Sequence, residues 1–123
     1  MGYYTDYTLT VRKIKNEEEF NKLNEYLKEK EIINYAIQEG DYDPNHQEAV
    51  FYPYDSVKWH DHSEAMVAVA EKFPKMYFEL EGAGEVSGDF WKEYYHDMDI
   101  EYCRGEIVYE QPKKVAWQDL LVI

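Results

Sequence analysis

Cysteine, basic side chains and long apolar runs are all scarce in this chain, and each shortage removes a class of function. The single cysteine, Cys103, excludes an intramolecular disulfide and a cysteine-based zinc site. No apolar run approaches the roughly 20 residues that a bilayer-spanning helix needs, so no membrane span is expected. The start, Met1-Gly2-Tyr3-Tyr4-Thr5-Asp6, has neither a basic region nor an apolar stretch, so no secretory signal is expected either. Gly2 matches a myristoylation site only in part, because Asp6 stands where Ser or Thr is wanted. A cytoplasmic protein is the expectation. The shortage of base is the most informative. Against 26 Asp and Glu there are 13 Lys and Arg, a net charge of −13 over 123 residues. Such a surface repels nucleic acid and anionic membranes and attracts basic partners.

Acidity alone would suit a disordered tail, but this chain is also 17% aromatic, with 13 Tyr, 3 Trp and 5 Phe. With 45% hydrophobic residues, it is expected to fold as one domain over residues 1–123, with a core that needs no staple. The charge is uneven. Residues 41–63 carry five acids and one base, and residues 82–110 carry eight acids and two bases. An acidic face offered to a partner is expected there.

Residues 3–12 alternate, with Tyr3, Tyr7, Leu9 and Val11 on one side, and predict a half-buried strand. Asn16-Glu17-Glu18-Glu19 reads as a capping box opening a helix over about 17–30, with Phe20, Leu23 and Leu27 on its apolar stripe. Ile33, Tyr35 and Ile37 predict a second strand, residues 40–48 a hairpin loop, and Ala49–Tyr54 a short strand that Pro53 confines to an edge or an end. Asp61 caps a second helix with Met66, Val69, Ala70 and Phe73 buried, stopped by Pro74. Met76, Phe78 and Leu80 then alternate in a strand. Gly82-Ala83-Gly84 and Ser87-Gly88 are turn signals; Asp89–His96 and Ile100–Cys103 are expected to pair, followed by Glu106–Glu110. The tail 112–123 has enough apolar surface to dock. The order β-α-β-(β)-α-β-β-β predicts an α+β, ferredoxin-like sandwich, a mainly antiparallel sheet with two helices on one face.

Val57-Lys58-Trp59-His60-Asp61-His62, a helix, Lys72-Phe73-Pro74 and then the run Phe78 to Tyr95 carry a family likeness. The segment resembles small phage and prophage proteins of Gram-positive bacteria with the pattern K-W-x-D-H, helix, x-P, F-x-L-x-G-x-G-E-x-x-G-D-x-W-x-x-Y. It is more distantly similar to the YubB-like ferredoxin domain of plasmids and phages. The likeness covers about a third of the chain. Where those proteins have a Lys/Asp-Gly-Lys turn, this one has His96-Asp97-Met98-Asp99. The resemblance implies a mobile-element accessory protein, a class that includes inhibitors of host defence such as anti-CRISPR proteins.

Several constellations have plainer readings than the chemistry they suggest. His60 and His62 would share one side of an extended segment as metal ligands, but Asp61 serves better as a helix cap and no third ligand is fixed nearby. Asp41-Tyr42-Asp43-Pro44-Asn45-His46 begins like a calcium loop, yet His46 replaces the glycine and Tyr52 the final glutamate. Gly82-Ala83-Gly84 lacks the Lys-Ser/Thr of a phosphate loop and is flanked by Glu81 and Glu85, so a bulge or bend between strands is expected. Cys103 has no histidine partner fixed in sequence.

In the strand 90–95, Phe90, Lys92 and Tyr94 lie on one side and Trp91, Glu93 and Tyr95 on the other, so both sides carry aromatics. The expected partner site is Glu79, Glu81, Glu85 and Asp89, with Trp91 and Tyr95 as aromatic anchors. The expectation is a non-enzymatic phage or prophage protein, without cofactor, metal or catalytic residues. It would block a host factor by setting carboxylates where phosphates lie in the basic channel of a nuclease. Two alternatives stand beside it. One is a binder of a signalling nucleotide, for which residues 82–110 offer only Lys92 and Arg104; the other is a metal-dependent enzyme centred on His60 and His62.

Overall fold

A computed structural model describes residues 4–86 and 88–105. The predicted strand at 106–110, the docked tail, Tyr3 and Ser87 lie outside them. The elements are β1 (Thr5–Arg12), α1 (Glu17–Glu29), β2 (Asp41–Asp43), β3 (Glu48–Phe51), α2 (His62–Lys72), β4 (Tyr77–Gly84), β5 (Phe90–His96) and β6 (Asp99–Arg104). The strands form one sheet in the order β2-β3-β1-β4-β5-β6, and every neighbouring pair is antiparallel. The protein is therefore α+β, and among the described residues no helix is long and apolar enough to cross a membrane.

Period-two alternation decides which side of each strand is covered. Tyr7, Leu9 and Val11 of β1 are buried, and register sets Leu9 opposite both Phe51 and Leu80, and Val11 opposite Ala49 and Phe78. Phe78 in turn faces Tyr95. Both helices pack on this side. Phe20 of α1 lies 6.2 Å from the Phe51 ring, and α2 contacts β5. Tyr26 of α1 meets Phe73, just after α2, edge to face at 5.7 Å, which ties the helix layer together.

α1 begins as its sequence predicts: Asn16 Oδ1 accepts the Glu19 N–H at 2.9 Å, and Glu17, Glu18 and Glu19 sit at the positive end of the helix dipole. α2 departs from expectation. Asp61 precedes it but makes no side-chain cap; only its carbonyl accepts the Ala65 N–H, at 3.0 Å.

The predicted strand at Ile33–Ile37 is not formed. Ile32, Ile33, Ala36 and Ile37 are all buried, a spacing of one and four rather than two. Turn hydrogen bonds satisfy the backbone instead, from the Ala36 and Ile37 N–H groups to the Ile32 carbonyl at 3.1 and 3.3 Å. Glu31 and Asn34 have φ of 60° and 70°, which extended backbone does not allow. The predicted loop at 40–48 is correspondingly shorter, because Asp41–Asp43 pairs with β3. β3 ends at Phe51, before Pro53, as a residue without an N–H requires.

The glycine segment is the third correction. Gly82-Ala83-Gly84 does not bend between strands; it continues β4, with Gly82 between Tyr7 and Trp91. A Cβ at Gly82 would stand 2.2 Å from Cε2 and Cζ2 of Trp91. The missing side chain makes room for an indole, not for a turn.

Candidate functional site

The uncovered side of the sheet is read directly from the register. One row crosses it as Asp41, Val50, Thr10, Glu79, Tyr94 and Glu101. A second runs Asp43, Glu48, Arg12 and Tyr77, with His96 stacked on the Tyr77 ring at 3.7 Å and Asp99 opposite His96. A third is Thr8, Glu81, Lys92 and Cys103, and a fourth Asp6, Ala83 and Phe90. Among the described residues this face carries eight carboxylates and two permanent cations, Arg12 and Lys92. Three aromatic side chains on it, Tyr77, Phe90 and Tyr94, are exposed.

Four predicted site residues are carboxylates, and the structure separates them. Glu79 and Glu81 lie on the open face. Glu79 is half-buried and accepts from Arg12 Nη1 at 3.0 Å, and Lys92 Nζ lies 3.5 Å from Glu79 and 3.6 Å from Glu81. The Glu79 carboxylate holds the Lys92 ammonium above its ordinary pKa. Glu85, beyond the end of β4, accepts the Tyr4 N–H at 2.8 Å. Asp89 closes the turn between β4 and β5 through its backbone, its carbonyl taking the Gly84 N–H at 2.9 Å.

The aromatic anchors are a correction. Trp91 and Tyr95 lie on the helix-covered side, so they do not share a face with Glu79 and Glu81. Tyr95 is 1% exposed and is not available to a partner. Its hydroxyl donates to Glu93 Oε1 at 2.7 Å. The exposed rings of β5 are Phe90 and Tyr94 instead. The alternation of residues 90–95 separates the two sets, but choosing the outer one needs the register with β4, where Phe78 and Leu80 face the core.

The two histidines also part. His60 is exposed, while His62, at the start of α2, is held by two acceptors. Its Nδ1 lies 3.0 Å from the Trp59 carbonyl and its Nε2 3.0 Å from Glu93 Oε1. Among the described residues no three His, Cys, Asp or Glu side chains converge as a metal site would require. In the calcium-like loop Asp43 is spent locally, accepting the Asn45 N–H at 3.0 Å and contacting His46 Nδ1 at 2.6 Å. Cys103 is exposed on β6.

Burial sets the titration of the phenols beneath the helices. It pushes Tyr95 upward, with help from its hydrogen bond to Glu93, and pushes Tyr7 upward as well. A group whose pKa rises on folding stabilises the fold below its unfolded value, here near 10, and that stability is lost as pH climbs through the folded value. The urea midpoint should therefore fall above pH of about 10, and less steeply in Tyr95→Phe than in the parent. Equal slopes for the two proteins would show that Tyr95 is not protected.

Among the described residues, the fold and this surface define an α+β protein with one sheet face covered by helices and the other open, acidic and aromatic. Comparison with protein-family models, curated proteins and solved structures finds no match to the chain.

Proposed function

We propose that this is a non-enzymatic binding protein that lays the open face of its sheet on a basic protein surface. The observation that carries this reading is the composition of that face, eight carboxylates and two cations around three exposed rings. Aromatic rings and charge of one sign suit recognition of arginine-rich surfaces, where guanidinium groups both stack and pair. Arg12 and Lys92 do not reverse the sign. They bridge neighbouring carboxylates and hold Glu79 and Glu81 in place.

The channel of a nucleic-acid-binding host protein is the partner we favour, with carboxylates standing in for phosphates. The phage-type resemblance of residues 57–95 points to the same setting, a mobile-element protein that inhibits host defence. We assign the architecture to the ferredoxin-like sandwiches. The order β2-β3-β1-β4, with α1 joining β1 to β2 and α2 joining β3 to β4, supports this, and β5 and β6 extend it.

The test is competition. Immobilised protein should retain DNA-binding proteins from a bacterial lysate, and added duplex DNA should displace them. Retention should fall at least tenfold between about 50 and 200 mM salt. Reversing Asp43, Glu81 and Glu101 to Lys, which leaves the Arg12–Glu79 pair intact, should abolish it. Retention indifferent to both DNA and salt would overturn the proposal.

A further inference from the structure

On the open face, near Arg12 at the end of β1, a recess of about 530 Å³ lies over β4, β5 and β6. Tyr94 is at its centre, because register sets Glu79 of β4 on one side of it and Glu101 of β6 on the other. Neighbouring strands are about 4.8 Å apart, so both carboxylates reach a group lying over the Tyr94 ring. The next row along contributes Tyr77, His96 and Asp99.

The walls are set before any partner arrives. His96 stacks on Tyr77 with ring centres 3.7 Å apart and planes at 8°. Its Nδ1 donates to the Met76 carbonyl at 3.1 Å, since a carbonyl can only accept. Arg12 Nη1 holds Glu79 at 3.0 Å. Tyr77, Tyr94, Asp99 and Glu101 are exposed, so a partner side chain can reach them. Groups already in place cost little to order on binding. Among the described residues the lining carries three carboxylates against one guanidinium, which attracts a cation and repels an anion.

We infer that this recess receives a single arginine side chain of the basic partner, its guanidinium plane over Tyr94 and its N–H groups on Glu101. The inference rests on the proposed interface and narrows it from a charged face to one anchoring residue. Other cations use less of the site. A lysine ammonium pairs with a carboxylate but is a compact, strongly hydrated charge with no plane to lay on a ring. A metal ion lacks a ligand set, since among the described residues no three His, Cys, Asp or Glu side chains converge. A guanidinium is more weakly hydrated, and it stacks on an aromatic face while donating in a fork to a carboxylate. Arg12 and Glu79 already form a guanidinium–carboxylate pair within the recess.

Titration of the isotope-labelled intact chain with blocked Gly-Arg-Gly, followed by its amide resonances, tests this. Shifts should concentrate at Tyr77, Tyr94 and Glu101. Gly-Lys-Gly and Gly-citrulline-Gly should bind at least about fivefold more weakly. Tyr94→Leu leaves the charge of the face untouched and should erase the preference for arginine over lysine. Glu101→Gln, at an exposed position of β6, should melt as the parent does yet bind Gly-Arg-Gly severalfold more weakly. Absence of shifts at the recess, or equal affinity of the parent for the arginine and lysine peptides, would overturn the inference. Tighter binding of a trimethyllysine peptide would also overturn it, by making the recess a quaternary-ammonium cage. The lysate competition reads the whole face and the peptide reads the recess, so the two proposals fail separately. Retention sensitive to DNA and salt without peptide binding removes the arginine alone; peptide binding without such retention removes only the nucleic-acid-binding partner.

Discussion

Phe51→Ala should remove about 3–5 kcal/mol of stability and lower the urea midpoint by roughly 2 M. Phe51 is completely buried at the end of β3. Its ring lies under α1, 6.2 Å from Phe20, and register sets it opposite Leu9 in the central strand. A Cβ at Gly40 would stand 2.8 Å from Phe51 Cδ2, so chain is packed tightly against the ring from that side too. The surroundings therefore collapse poorly into the space that truncation leaves, and the cavity term adds to the lost transfer energy. A domain of this size has about 5–15 kcal/mol in total, so the variant should be partly unfolded near 37 °C. Tyr52→Ala, one residue on and exposed, should change stability by less than about 0.5 kcal/mol. A loss below about 1 kcal/mol for Phe51→Ala would mean that α1 is not seated on this ring.

The second large effect is expected at a residue with no side chain. Gly82→Ala should destabilise by about 1–3 kcal/mol although alanine suits a strand better than glycine. The new Cβ would lie 2.2 Å from two atoms of the Trp91 ring and 2.8 Å from a third. The indole has little room to retreat, since Tyr7 and His62 already hold it. It must leave its place, and its packing against Tyr7 and His62 goes with it. The coupling is testable by a double-mutant cycle. With Trp91 replaced by alanine, Gly82→Ala should become neutral or mildly stabilising, a coupling of at least about 1 kcal/mol. A Gly82→Ala penalty that persists without the indole would locate the strain elsewhere.

These two positions also show how far the sequence could be read. Phe51 sits in a short apolar run that predicts a strand, and Pro53 predicts where that strand ends. Gly82 misleads, because a Gly-Ala-Gly triplet is a turn signal wherever chemistry is judged from neighbours in the chain. Its partner, Trp91, is nine residues away and arrives only through the β4–β5 pairing. The same limit applies at Ile33–Ile37, where apolar residues two apart suggest a strand. The core took Ile32, Ile33, Ala36 and Ile37 together, and two residues with positive φ made turns of the segment.

The candidate site divides in the same way. Glu79 and Glu81 were legible as carboxylates on one strand face, and residues 90–95 as a strand with rings on both sides. Trp91 and Tyr95, expected as anchors, lie on the covered side, because alternation gives two sets and not the choice between them. The contact of His62 with Glu93 left no sequence signal, since the residues are 31 positions apart on different elements.

Local pattern thus determined the positions of α1, α2, β1 and β4, through apolar periodicity and, at α1, a capping side chain, because those forces act within a few residues. Net charge determined the sign of the surface, since charge depends on composition alone. Only the tertiary structure decided which side of each strand is covered and what stands opposite Gly82. It also decided which acceptors meet His62. Strand pairing joins distant residues, and a shift of one position would exchange the inner and outer faces completely.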